Sequence, residues 1–386
     1  MREEIFNLNQ EVIDIRRNLH QIPELAYEEY KTSGFIVKKL EQYGIDVYKN
    51  IAKTGVVGFL KVKDAKNTIA FRADMDALNV EEKTDLDFKS IHKGNMHACG
   101  HDGHMTILLG FAKFLSENSE RLKENIAFIF QPAEEGPGGA EPMIEEGIIE
   151  KFNIKQIMGL HVFPELQQGK IGCKKGPMMA QAGEFDISIN GKGAHGARPH
   201  EGNDAIIIMS NIISTYQTII SRNIDPIEGG VLTIGKVWAG ERRNIIAQEA
   251  SLEGTIRVFN EDVYNKIKNR MVEIAKGMEK TYNCTIDIVF RDMYPAVVND
   301  DDLVDQLVEV VGGENVEWIK PQMISEDFSY FQRKIPGLFF FLGTRNEEKG
   351  YVNSLHNSKF TFDEKILLVG IQIYLDMLKK IGAYVW

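Results

Sequence analysis

Apolar residues recur at helical spacing from Gln10 to Gln42, break at Pro23 and stop at Gly44, which predicts helix on both sides of the proline. Short runs rich in β-branched and aromatic residues follow at Val56–Leu60 and Thr68–Arg72 and read as strands. A helix over Thr106–Leu115, a buried strand over Ile126–Phe130 and another over Ile157–His161 continue the alternation. Strand and helix alternating at these lengths predict a sheet covered on both faces.

From Glu184 the rhythm changes. Glu184–Ile189 reads as a strand, Asp204–Ser221 as a helix, Val231–Val237 and Ala250–Phe259 as strands, Glu261–Thr281 as a helix and Thr285–Phe290 as a last strand. The order β-α-β-β-α-β is that of a small split-βαβ, ferredoxin-like domain. Beyond Pro295 the first style returns, with a helix at Leu303–Val311, a strand at Leu338–Leu342 and a helix at Asp363–Ile381. The expected architecture is therefore α/β, with a mixed-sheet catalytic domain built from residues 1–180 and 294–386 and an inserted lid domain over 181–293.

Length and charge narrow the partners. With 386 residues, 43% hydrophobic and 26% charged, the chain is long enough for two packed domains and too apolar for disorder. Acidic residues outnumber basic ones by 56 to 45, a formal net charge of −11, which argues against nucleic acid or an anionic membrane as partner. The longest apolar stretch, Ala205–Ile220, is broken by Ser210, Asn211, Ser214, Thr215 and Gln217, so no membrane span is expected. Met1–Gln10 has no apolar signal core and the cysteines at 99, 173 and 284 are widely spaced, so a soluble cytoplasmic protein without disulfides is expected.

Against that background the histidines are clustered. Of nine in the chain, His92, His97, His101 and His104 fall in one short stretch, with Cys99 among them and a helix just beyond. Around Gly100 a tight turn lets Cys99 and His101 face one point, and a thiolate with an imidazole suits zinc or another borderline metal. A loop of solvated histidines is the plainer alternative. Glu134 and Glu135 lie just past the strand Ile126–Phe130, where α/β sheets place their ligand sites. Adjacent side chains point apart, so one carboxylate is free to hold a metal while the other meets a water; a paired-carboxylate surface turn is the alternative. His161 ends an apolar strand and His356 lies in a polar loop, and neither means much alone. Together Cys99, His101, Glu135, His161 and His356 make too many donors for one catalytic zinc, which takes three from the protein. They suit a pair of metals about 3.5–4 Å apart, with Glu134 left over as general base. Asp74 and Asp76, ending the strand Thr68–Arg72, form an acidic pair suited either to orienting a metal-bound histidine or to capping a turn. Gly191–Gly196 matches the glycine spacing of a dinucleotide loop, but no acidic residue follows about twenty positions on to hold a ribose. Gly136, Gly138 and Gly139 lack the Lys-Ser/Thr that a phosphate loop requires.

As a set these segments resemble the metal-dependent amidohydrolase/aminoacylase family, whose members include hippurate hydrolases, auxin-conjugate hydrolases and N-acetyl-diaminopimelate deacetylases. The likeness runs from Arg16–Leu25 to Leu355–Phe360 and is most specific at Met96–His104 and Gln131–Gly139. It implies Cys99, His101, Glu135, His161 and His356 as ligands of two divalent ions (manganese or zinc, with nickel or cobalt as further options), Glu134 as general base and Asp76 as the strand-end aspartate. It further implies that His195 in the lid polarises the scissile carbonyl, often across a dimer interface, and that Asn244 and Arg257 hold the substrate carboxylate. Taken by itself, Arg257 ending an apolar strand reads as a surface ion-pair member. A homodimer or homotetramer through the lid is implied as well. Where distant peptidase-like members place a metal-binding histidine, this chain has Asp74, which points to the amidohydrolase branch and away from peptide cleavage. The implied activity is hydrolysis of N-acyl-L-amino acids, with N-acetyl-diaminopimelate deacetylation as the nearest rival and a non-catalytic binding protein of the same fold as the remote one.

Overall fold

The computed structural model describes residues 2–385 and divides into two compact units. The first comprises residues 1–176, 298–320 and 327–386, of which the outermost residue at each end is not described. It is built on an eight-stranded mixed sheet. From edge to edge its strands are Asp46–Ile51, Gly55–Leu60, Asn125–Gln131, Thr68–Asp74, Ile154–Gln167, Gly337–Arg345, Ile171–Cys173 and Val316–Trp318. The four in the middle, from Asn125–Gln131 to Gly337–Arg345, run parallel to one another. Such strands are covered on both faces, which is why Thr68–Asp74 and Asn125–Gln131 are buried at every position.

The helices Asn9–Gln21, His101–Glu117 and Lys365–Lys380 pack together and share one core with this sheet. His101–Glu117 is buried on almost all sides, as expected of a helix with hardly a polar face. Phe71 from the sheet meets Phe111 and Tyr374 from two helices, each with ring centroids 4.8 Å apart. The helix starts five residues before the predicted Thr106. Gly100 caps it with a left-handed φ of 89°, a conformation that costs other residues about 1–2 kcal/mol, so His101 enters the first turn with its ring at the mouth of the helix.

A second departure concerns His161, which lies inside its strand rather than at its end. Arg72 pairs with Gly159, so the level of Asp74, where the neighbouring strand stops, is that of His161; beyond it the strand continues to Gln167, paired with Gly337–Arg345 alone. The carboxyl ends of the central strands therefore open together around His161.

The second unit, residues 177–297 with 321–326, carries a four-stranded antiparallel sheet in the order Val231–Ala239, Glu249–Val258, Gln181–Asn190, Thr285–Asp292. The helices Ala205–Thr218 and Glu261–Tyr282 share a core with it through Ile208, Ile212, Tyr216, Ile267 and Met271. Among the described residues no helix is long and apolar enough to cross a membrane.

Candidate metal centre

Chain segments far apart in sequence meet at the carboxyl ends of the parallel strands. Cys99 precedes the helix His101–Glu117, His161 comes from its strand, Glu134 and Glu135 from the loop after Asn125–Gln131, and His356 from the loop after Gly337–Arg345. The backbone N–H of His356 donates to Ala98 O at 2.9 Å, which ties that distant loop to the cysteine turn. Donor atoms of Cys99, His101 and His161 lie within 4.8 Å of one another, as do those of Cys99, Glu135 and His356 and those of His101, Glu134 and Glu135. The expected five donors and the expected base thus share one place.

The rings are aimed by backbone carbonyls. His101 Nδ1 bonds Asp76 O at 2.9 Å and His161 Nδ1 bonds Val162 O at 2.7 Å, so both present Nε2 to the centre. His161 Nε2 faces Cys99 Sγ at 3.4 Å, and His356 Nε2 faces Glu135 Oε1 at 3.3 Å. Asp76 does more than orient a histidine. Its carboxylate accepts the N–H of Glu134 at 3.0 Å and of Glu135 at 2.9 Å, and it is the Asp76 carbonyl, closer than the carboxylate oxygen at 3.4 Å, that steers His101. Asp74 is buried in another network, accepting from Arg72 Nη1 at 2.7 Å and facing His104 Nδ1 at 2.6 Å.

Not every histidine of the cluster joins the centre. His104 bonds Asp74 through Nδ1 and accepts the Val162 N–H at Nε2 at 2.9 Å, so neither nitrogen is left for a metal. It instead braces the strand one residue beyond His161. His92 bonds Pro23 O through Nδ1 and lies beside Lys31. Both ring nitrogens of His97 are buried without a hydrogen-bond partner among the described residues.

The electrostatics suit a cation. Burial opposes charge on His101, yet Asp74 and Asp76 outweigh it and raise its pKa to about 10. The same carboxylates that favour a proton there favour any cation. Burial, reinforced by His104, holds His161 well below its ordinary value and leaves it a neutral ligand. Burial and then the charges of Glu135 and Glu134 push the Cys99 thiol well up, a shift that a metal reverses because a coordinating thiol is deprotonated outright. His101 Nε2 is a buried atom with no hydrogen bond among the described residues, 4.0 Å from Glu135 Oε1. An orphaned imidazole nitrogen set among a thiol, a carboxylate and two more imidazoles is what a metal centre requires, and the second nitrogen of a ligating histidine normally binds a carbonyl as here. The residues fit two divalent ions.

In the second unit, His195 and Ile245 pair across a two-stranded ribbon, and Gly196 N–H donates to Asn244 O at 2.8 Å, so His195 and Asn244 are neighbours. His195 Nδ1 accepts the Ala197 N–H at 3.0 Å, which places the ring proton on the exposed Nε2. Arg257 donates only to Thr255 Oγ1 and Ile256 O; no carboxylate pairs with it among the described residues, so the surface ion pair is absent.

Parallel strands with thiol, imidazole and carboxylate donors gathered at their carboxyl ends are the frame of a metal-dependent hydrolase. The comparisons make this specific. The pattern of peptidase family M20/M25/M40 matches residues 70–380, and the chain belongs to that family. It is 40% identical over 375 residues to thermostable carboxypeptidase 1 of Saccharolobus solfataricus, covering 96% of this chain and 95% of that one. To N-acetyldiaminopimelate deacetylase of Bacillus subtilis it is 40% identical over 369 residues, covering 94% and 96%. A crystal structure described as a dinuclear metal binding peptidase from the M20 family, from Bacillus subtilis, superposes with a TM-score of 0.85 at 32% identity, covering 98% of this chain and all of that one. The protein is a metal-dependent amidohydrolase.

Proposed function

We propose that the protein hydrolyses the amide bond of N-acyl-L-amino acids, with Glu134 as general base. The observation that carries this is the position of Glu134: its loop is gripped by Asp76 beside the donor cluster, while Glu135, one residue on, faces His356 and His101. Cys99, His101, Glu135, His161 and His356 would hold two divalent ions, manganese or zinc. When bound, such ions lower the pKa of water and polarise a carbonyl.

In this reading the chain's own groups move the protons. Glu134 takes the proton of the attacking water and returns it to the leaving amine. His195 Nε2–H donates to the carbonyl oxygen as charge develops on it. Arg257, whose guanidinium meets no carboxylate among the described residues, clamps the substrate carboxylate with Asn244. A deacetylase acting on an amino acid and a carboxypeptidase cut the same kind of bond, an amide on the amino group of an amino acid, so the two relatives' names support one chemistry.

Glu134→Gln is expected to keep both metals while kcat falls by about 10²–10⁴-fold; full activity in that variant refutes the base assignment. Benzoyl-glycine and N-acetyl-diaminopimelate, assayed side by side with added manganese or zinc, separate the general reading from the second one. Preference for the diaminopimelate conjugate establishes a deacetylase, which the Bacillus relative favours.

A further inference from the structure

The loop Pro132–Gly139, which carries Glu134 and Glu135, is held by buried carboxylates from three distant parts of the chain. Ala133 N–H donates to Glu29 Oε1 at 3.0 Å, and Glu134 and Glu135 N–H donate to Asp76 at 3.0 and 2.9 Å. Gly139 and Ala140 N–H donate to Asp327 Oδ2 at 2.9 and 3.0 Å. The loop needs such a hold. Ala133 has φ +57°, a left-handed conformation in which a residue with a side chain persists only when its surroundings over-determine it. A Cβ on Gly139 would meet Pro132 O at 1.9 Å, so the loop is folded tightly on itself.

Glu29 grips the strained residue next to Glu134. It is fully buried, and its other oxygen accepts the Thr54 hydroxyl at 2.6 Å, so both carboxylate oxygens are engaged and aimed. The two side-chain hydrogen bonds of Glu29 go to Thr54 and Ala133, neither of them a metal donor. Its remaining role is to set the direction in which the chain leaves Ala133, and with it the place of the Glu134 carboxylate. We propose that Glu29 is a positioning residue for Glu134, fixing the base before substrate arrives. This rests on the reading of Glu134 as general base, and a misplacement of about 1 Å at a reacting group is enough to cost about 10²-fold in rate.

The test pairs Glu29→Ala with Glu29→Gln. Glutamine keeps an oxygen for the Ala133 N–H and turns an N–H toward the Thr54 hydroxyl, which accepts as well as donates; alanine removes both contacts. In the metal-loaded enzyme Glu29→Ala is expected to lower kcat about 10²-fold with KM little changed and metal content unaltered, and Glu29→Gln to restore most of the loss. In the metal-free protein, amide exchange at Ala133, Glu134 and Glu135 is expected to accelerate at least about tenfold in Glu29→Ala and to return to the wild-type rate in Glu29→Gln. This second readout is independent of activity, so it stands even if Glu134→Gln shows that the base has been misassigned. Wild-type kcat or unchanged exchange in Glu29→Ala overturns the proposal, as does a rate loss that follows loss of metal. Glu29→Gln as slow as Glu29→Ala with wild-type exchange overturns it too, by making the charge matter rather than the position. If Glu29→Ala does not fold, Thr54→Val, which removes only the hydroxyl aiming Glu29, is expected to give the same two effects at smaller size; its absence on both readouts is equally damaging.

Discussion

His20 shows how firmly the ground beneath the site is built. Its ring is buried between Asp102 Oδ2 at 2.9 Å and Glu82 Oε1 at 3.2 Å, with the Phe88 ring on its edge. Arg16 donates to the same Asp102 oxygen at 3.2 Å and lies 3.7 Å over the Phe362 ring. Burial and Arg16 lower the pKa of His20, but its two carboxylate partners outweigh them and raise it to about 9 from 6.5. A pKa raised on folding stabilises fully below the unfolded value and is lost as pH rises through the folded one. Stability is therefore expected to fall between about pH 6.5 and 9, by up to a few kcal/mol. Denaturant titrations across that range check it: His20→Gln should remove the step, and an unchanged step in that variant assigns it elsewhere. At this scale Cys99, His101, Glu134 and Glu135 stand out in the sequence because their types announce their chemistry, and the fold gathers them in one place. It did not show Glu29, His104 or Asp327 in their roles. Glu29 follows another glutamate in what reads as a solvated stretch, and only folding brings it to Ala133, 104 residues away.

Elements decide whether the donors point the right way. The helix carrying His101 was legible in its apolar run but not in its start, because the apolar spacing begins at Thr106 while the chain already turns into the helix at Gly100. The strand of His161 was legible in its middle and not in its extent, because its last residues pair with a strand 178–180 positions further on. Register across a sheet is a non-local fact. Gly100 joins both elements: a Cβ there would stand 2.4 Å from Val162 Cγ2, next to His161, and its φ of 89° already excludes most residues. Gly100→Ala is expected to destabilise by about 2–5 kcal/mol, the sum of a left-handed penalty and an overpacked contact. It should also weaken metal binding, since Cys99 and His101 flank it. Denaturant midpoints and metal titration measure the two effects, and a variant with wild-type values for both shows that the turn has slack.

On the scale of the whole molecule, the alternation of strand and helix gave the class of fold, and the change of rhythm at Glu184 marked a second kind of sheet. That sheet ends at Val231–Ala239, an edge strand with Val237 and Trp238 each about half exposed, at 51% and 52%. Unpaired edges with apolar side chains are templates for pairing with another chain. A homodimer joined along this edge is therefore expected. Trp238→Lys should shift sedimentation toward the monomer, and a wild-type protein that sediments as a monomer at every concentration contradicts it. The chemistry itself needs segments from four places in the sequence to meet, and crystals grown with manganese or zinc test this most directly through their anomalous scattering. The expected result is two peaks about 3.5–4 Å apart, bound by Cys99, His101, Glu135, His161 and His356, with Glu134 beside them and not a ligand of its own. A single peak, or peaks held instead by Asp74 and His104, would contradict it.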